Sequence, residues 1–180
     1  MALTRRQRLR RVGTVCCHTL RNLAYYRAWF EMGKPMANEQ FWISVNGNFA
    51  DVTVLEWCKV FADKKGKHHW TKVVQDKAAF MAGLLAKLGV EEVAWSAYVE
   101  EMRFLRDKFI AHLDDEQVMT LPQLDMAKMS AVYLYTYLLE NEDEGDVFVD
   151  APQNAAEWFN RFSDETRAVY HARDIAVLPC

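Results

Sequence analysis

The chain has 180 residues, half of them apolar and 13% aromatic, with only seven Gly and four Pro. That is enough for one substantial core, and too little Gly and Pro for a collagen-like, low-complexity or turn-dense all-β protein. The formal charge of −3 conceals a polarity: residues 1–30 carry seven Arg and no acid, and the remainder carries 15 basic against 25 acidic residues, so the basic end either recruits a polyanion or docks on its own acidic body. Residues 3–31 read as one long helix, or a helix preceded by a basic arm over 1–12, because Leu9, Val12, Cys16, Leu20 and Leu23 form a helical stripe. Gly33 and Pro35 end it. Gly13, Thr14, His18 and Thr19 interrupt any signal-peptide core, and no apolar run approaches the roughly 18 residues of a membrane span. Cys16, Cys17, Cys58 and Cys180 show no CxxC spacing, so reduced thiols and a cytoplasmic location are expected.

A second helix begins near Asn38 and carries Phe41, Val45, Phe49, Val52, Leu55, Trp57 and Phe61; its period keeps phase across Asn46-Gly47-Asn48, which favours one element over two. Asp63 to His69 is a basic loop, followed by a short helix or turn at Trp70 to Val74. Asp76 caps a third helix and Gly89 stops it near Leu88. Residues 91–113 form a fourth helix, with Trp95, Tyr98, Met102, Leu105 and Phe109 on one stripe. After a polar connector, Pro122 suits the first turn of a helix through Leu139. Val147-Phe148-Val149 reads as a short extended segment, and a last amphipathic helix runs from Pro152 to about Arg173. The sum is an all-α single domain over 1–180: one bundle of five or six helices with a long N-terminal helix.

Chemistry concentrates at Arg106-Asp107-Lys108-Phe109-Ile110-Ala111-His112. At about 100° per residue, Arg106 and His112 lie about 120° apart, astride Phe109, and roughly 9 Å apart along the axis. Asp107 points nearly opposite Phe109. Such a pair suits a group bound between helices or across a two-fold interface. The plain alternative pairs Arg106 with an acid such as Glu101 or Glu142 and leaves His112 as a helix cap. Arg11–His18 has comparable spacing but Val12 in place of the polar second residue.

The fragment resembles the signature of the HEPN superfamily, in which an Arg, a polar residue, about four residues and a His lie toward the end of an amphipathic helix. Leu55-Glu56-Trp57 through Phe61, Asp63 and His68 or His69 is similar to the abortive-infection-like branch, and the resemblance covers roughly residues 40–140. It implies a dimerising helical bundle and a metal-independent endoribonuclease, a toxin or antiviral defence effector with RNA as substrate and an antitoxin or regulatory protein as partner. In that reading no cofactor or metal is needed. His112 is the acid/base for the ribose 2′-hydroxyl and leaving oxygen, Arg106 stabilises the phosphorane, and Asp107 orients them.

Further RNA contacts are expected from the loop residues Lys64, Lys65, Lys67, His68 and His69 and from Arg5, Arg6, Arg8, Arg10 and Arg11, since clustered cations favour polyanions whatever their base sequence. Tyr25, Tyr26, Trp29 and Phe30 are either stacking surfaces or core. The His68–His69 pair with Asp63 is a weak metal-site pattern, because adjacent histidines point in different directions. The alternative function is a non-catalytic helical RNA-binding or protein-assembly module. No P-loop, dinucleotide, GxSxG or kinase signature occurs.

Overall fold

The computed structural model describes residues 3–110 and 121–176, leaving aside the side chains of Phe109 and residues 173–176. Its six α-helices are α1 (Arg5–Ala28), α2 (Gln40–Phe61), α3 (Lys77–Leu88), α4 (Glu92–Leu105), α5 (Asp125–Tyr137) and α6 (Ala155–Ala176). The architecture is all-α, with the long first helix at its centre, packed on α2, α5 and α6. Among the described residues no helix is long and apolar enough to cross a membrane.

The arginine-rich start is helix, not an arm. Thr4 caps α1: its hydroxyl accepts from the Gln7 amide, and the Gln7 side chain accepts from the Thr4 amide, so two otherwise orphaned donors are satisfied. Leu9, Val12, Cys16, Leu20 and Leu23 are fully buried along one stripe, and this burial holds the helix despite the arginines at its positive end. The helix ends at Ala28, earlier than its periodicity suggests. Phe30–Glu31 then pairs antiparallel with Lys34–Pro35 around Met32 and Gly33, both at positive φ (49° and 76°), the pattern of a tight two-residue hairpin turn.

Helix α2 runs unbroken through Asn46-Gly47-Asn48, with Asn46 buried. At its far end Trp57 is the centre of an aromatic cluster with Phe61, Trp95 and Tyr98, at ring centroid distances of 5.1, 5.8 and 5.4 Å. Asp76 caps α3 by accepting from the Ala79 amide at 2.9 Å, and Gly89 closes it at φ 67°. Pro122 is not in the first turn of α5, which starts at Asp125. Gln123, just ahead of it, is held by the Tyr98 hydroxyl donating to its carbonyl at 3.0 Å. Residues 147–149 are turn, not the short extended segment expected, because Phe148 is drawn inward to pack on α1. Asn154 caps α6 by accepting from the Ala156 and Glu157 amides.

Two helical glycines predict stability changes of opposite sign. A Cβ on Gly13 would lie 2.5 Å from Cε1 of the buried Phe148, whereas one on Gly47 meets nothing within 4 Å. Helix propensity favours alanine at both by about 1 kcal/mol, but overpacking costs about 1–3 kcal/mol. Gly13→Ala is therefore expected to lower the urea midpoint and Gly47→Ala to raise it. The same sign for both would remove the close α1–Phe148 contact as a constraint.

Candidate functional site

The motif arginine sits where α4 changes form. Residues Arg106–Ile110 make a π-helical turn, a wider winding found mostly as short insertions and often at functional positions. Ile110 still packs on the main core, so the turn remains docked. The ideal wheel's phase does not hold through it. Asp107, expected to point away from the site, instead places Oδ1 2.8 Å from Nε of Arg106, which donates to it.

Arg106 also donates through Nη1 to Oδ1 of Asp63 in the loop after α2. The acids expected to pair with it, Glu101 and Glu142, are not its partners here: Glu142 is buried and taken by Arg5. The Arg106 side chain is 16% exposed. Burial works against its charge, but the hydrogen bonds it donates to Asp107 and Asp63 outweigh that and hold the guanidinium firmly protonated. Of its five N–H donors, the two carboxylates use one on Nε and one on Nη1. His112 lies outside the described residues.

The Asp63 contact brings the basic loop beside the motif helix. Lys64, Lys65 and Lys67 are exposed there, and the Arg11 charge of α1 reaches His68. His68 is held below its ordinary pKa by burial first and then by Arg11 and Lys59. His69 departs from the expected exposed loop. It is 3% exposed, its Nε2–H donates to the Phe61 carbonyl at 3.2 Å, and its Nδ1 accepts from the Thr71 hydroxyl at 2.8 Å. Both ring nitrogens are occupied, so this histidine fastens the loop onto the end of α2 and presents no edge to RNA or metal.

Burial holds the His69 pKa below normal, the Phe61 hydrogen bond opposing it only in part. Below the ordinary imidazole value of about 6.5, the unfolded chain therefore takes up a proton that folded His69 resists. The His69 contribution to stability is complete above about pH 6.5 and declines as pH falls toward the lowered value. His68 acts in the same direction. Urea midpoints are expected to drop between pH 7 and pH 5.5, with a shallower drop in His69→Gln; an unchanged slope in that variant would contradict the assignment.

The N-terminal arginines divide. Arg5 faces inward: it pairs with Glu142 and Glu144 and donates to the Val73 carbonyl at 3.2 Å, so it leaves the group expected to contact RNA. Glu142 also accepts from the Gln75 amide at 2.7 Å. Arg6, Arg10 and Arg11 are exposed and Arg8 half-buried, without ion pairs among the described residues. The nearby aromatics are largely packing: Trp29 is buried, and Tyr25 lies 5.0 Å from Phe49 and 5.6 Å from Phe162. Cys58, whose thiol donates to the Met102 carbonyl at 3.6 Å, has its pKa pushed up to about 12 by burial, which leaves it an inert core thiol.

The Arg106–Asp63 pairing was not readable from the chain, since 43 residues separate the partners. The nearest sequence signal was the position of Asp63 just past the apolar stripe of α2. Comparison of the chain with protein-family models, with curated proteins and with solved structures finds no match.

Proposed function

We propose that the protein is a metal-independent endoribonuclease acting as a homodimer, with Arg106 on the scissile phosphate and His112 as acid/base. The observation that carries this reading is the Arg106–Asp63 ion pair. It sets a fixed, protonated guanidinium at a π turn and ties it to the start of the loop that carries the exposed Lys64, Lys65 and Lys67. Preorganised cations of this kind stabilise charge as it builds on a phosphorane, while the lysines that follow Asp63 in the loop add sequence-independent phosphate attraction. Arg106 has N–H donors beyond the two that Asp107 and Asp63 take, and in this reading these donate to a phosphate oxygen. The carboxylates hold the guanidinium plane, as second partners commonly orient a reacting group.

A toxin or antiviral role and a neutralising protein partner belong to the same proposal and rest on the HEPN resemblance of residues 40–140. One observation favours a second reading, a non-catalytic helical RNA-binding or assembly module: two carboxylates already neutralise Arg106, which suits a structural clamp between the α2 loop and α4. Incubation of the purified protein with end-labelled RNA in EDTA separates the two. Cleavage leaving 2′,3′-cyclic phosphate ends supports the nuclease; RNA binding without cleavage supports the module.

A further inference from the structure

A groove of about 530 Å³ runs alongside α1, outside the proposed catalytic centre. Three contacts set the 145–158 segment beside the helix and in step with it. Gly145 lies at Arg6, where a Cβ would be 3.6 Å from Nη1; Phe148 is wedged against the Gly13 backbone; and the Trp158 indole N–H donates to the Cys17 carbonyl at 3.4 Å. From Arg6 to Cys17 the helix rises about 16 Å, so the facing segment follows the axis and does not cross it. The buried Tyr135 donates its hydroxyl to the Pro152 carbonyl at 2.7 Å and fixes the segment from its other side.

The two walls carry opposite charge. Arg6 stands at one end, while Arg10 and Arg21 line the helix side about 16 Å apart along the axis. Asp146 and Asp150 line the facing side, the first between the Gly145 and Phe148 contacts and the second between those of Phe148 and Trp158. Among the described residues, Arg5, Arg27, Arg103, Arg106, Arg161 and Arg167 each pair with a carboxylate, yet no ion pair joins Arg6, Arg10 or Arg21 to Asp146 or Asp150. Asp146 also holds a φ of 58°, a costly conformation for a side-chain-bearing residue that Asn and Asp tolerate best.

Cations spread over this length cannot share one small anion; they match an anion that is itself extended. A stacked nucleic-acid strand carries one phosphate per about 3.4 Å, so about five phosphates span Arg10 to Arg21. Each nucleotide also has two unlike edges. Opposite its phosphate it carries a base, and cytosine and adenine present an exocyclic amine, the donor that a carboxylate accepts from. Uracil presents a carbonyl oxygen at the same place, which a carboxylate repels. A polyphosphate repeats the charge without the donor edge. An extended acidic peptide directs alternate side chains to opposite sides, which sets some of its own acids against Asp146 and Asp150.

We infer that the groove holds a single strand of RNA, with phosphates along Arg10 and Arg21 and amine-bearing bases donating to Asp146 and Asp150, so that uridine tracts are disfavoured. The choice of RNA as the strand rests on the endoribonuclease proposed above. Arginine's planar fork suits the phosphates, and the groove would hold part of the substrate away from the Arg106 centre.

The test is fluorescence anisotropy of the full chain at low salt with labelled 2′-O-methyl ten-mers of cytidine, adenosine and uridine. These have no 2′-hydroxyl to attack, so they report binding apart from cleavage. Expected is saturable binding of oligo(C) and oligo(A), each at least tenfold tighter than oligo(U). The double change Asp146→Asn with Asp150→Asn keeps residues that the backbone tolerates, and it should bring oligo(U) within threefold of oligo(C), because an amide can donate to the uracil carbonyls. Arg10→Glu and Arg21→Glu, at positions outside any ion pair, should keep the wild-type melting temperature, weaken all three ten-mers at least tenfold and flatten the salt dependence. The inference is overturned if no ten-mer saturates, if oligo(U) binds as tightly as oligo(C), if the paired Asn changes leave the preference in place, or if both charge reversals leave affinity unchanged. It is also overturned if a polyglutamate ten-mer displaces oligo(C) at equal concentration, which would assign the groove to an acidic peptide. RNA cleavage in EDTA without this binding pattern would sink the groove alone; the binding pattern without cleavage would sink the nuclease and keep the groove.

Discussion

Arg106→Ala is expected to lower RNA cleavage by about 10²- to 10³-fold, the usual cost of removing one preorganised donor from developing charge. The loss should fall on kcat more than on KM, because in the proposed mechanism the guanidinium acts on charge that exists only in the transition state. His112→Ala should be equally severe if it supplies the proton transfers. The control is folding. Arg106 bridges Asp63 and Asp107, so its removal leaves two carboxylates facing each other without a cation, and some destabilisation follows whatever the function. Arg106→Lys separates the roles: it keeps the charge but loses the planar fork that holds the two acids and, in the proposed mechanism, the phosphate. A variant that melts like the wild type yet does not cleave supports catalysis. A wild type that never cleaves in EDTA, with Arg106→Ala losing only stability, leaves the clamp as the function of this residue.

Trp57→Ala should cost about 3–5 kcal/mol, the range for emptying a buried aromatic site, out of a total stability of about 5–15 kcal/mol. Trp57 is fully buried, touches Phe61, Trp95 and Tyr98, and donates its indole N–H to Ser130 Oγ at 2.9 Å. Ser130 in turn donates to the Ala127 carbonyl at 3.1 Å. One side chain thus joins α2, α4 and α5. Ser130→Ala would leave the indole N–H buried without a partner, at about 1–3 kcal/mol. Urea denaturation of the two single variants and the double variant measures the coupling, since the hydrogen bond is lost only once in the double variant. A loss under about 1.5 kcal/mol for Trp57→Ala would show that this cluster is not what sets α4 against α2. The consequence reaches the proposed site, because the same α2–α4 packing brings Asp63 to Arg106.

Where an apolar stripe of period 3.6 ran long, the helix was legible in the chain. Helix α1 follows Leu9, Val12, Cys16, Leu20 and Leu23, and α2 keeps its phase across Asn46-Gly47-Asn48 because the stripe resumes on the same face. Asp76 and Gly89 marked their helix ends for local reasons, a side-chain cap and a left-handed backbone. Ends governed by distant contacts were misplaced. Pro122 suits a first helical turn locally, yet α5 waits until Asp125 while Tyr98 holds the Gln123 carbonyl. Phe148 reads locally as part of a short extended segment, and its fate depends on the bare backbone of Gly13.

The same division runs through the candidate site. Sequence alone determined the all-α class, the charge polarity and the clustering of Arg106 and Asp107 near the end of a helix, since these depend on composition, period and neighbours along the chain. Only the tertiary structure decided what those charges meet. It turned Arg5 inward to Glu142, buried His69 against the Phe61 carbonyl, joined Arg106 to Asp63 and left Arg6, Arg10 and Arg21 facing an open cleft. The physical reason is that a charged side chain's partner is chosen by the packing of apolar faces that lie far apart in sequence. A helical wheel records which face a residue occupies, and not what the fold places opposite it.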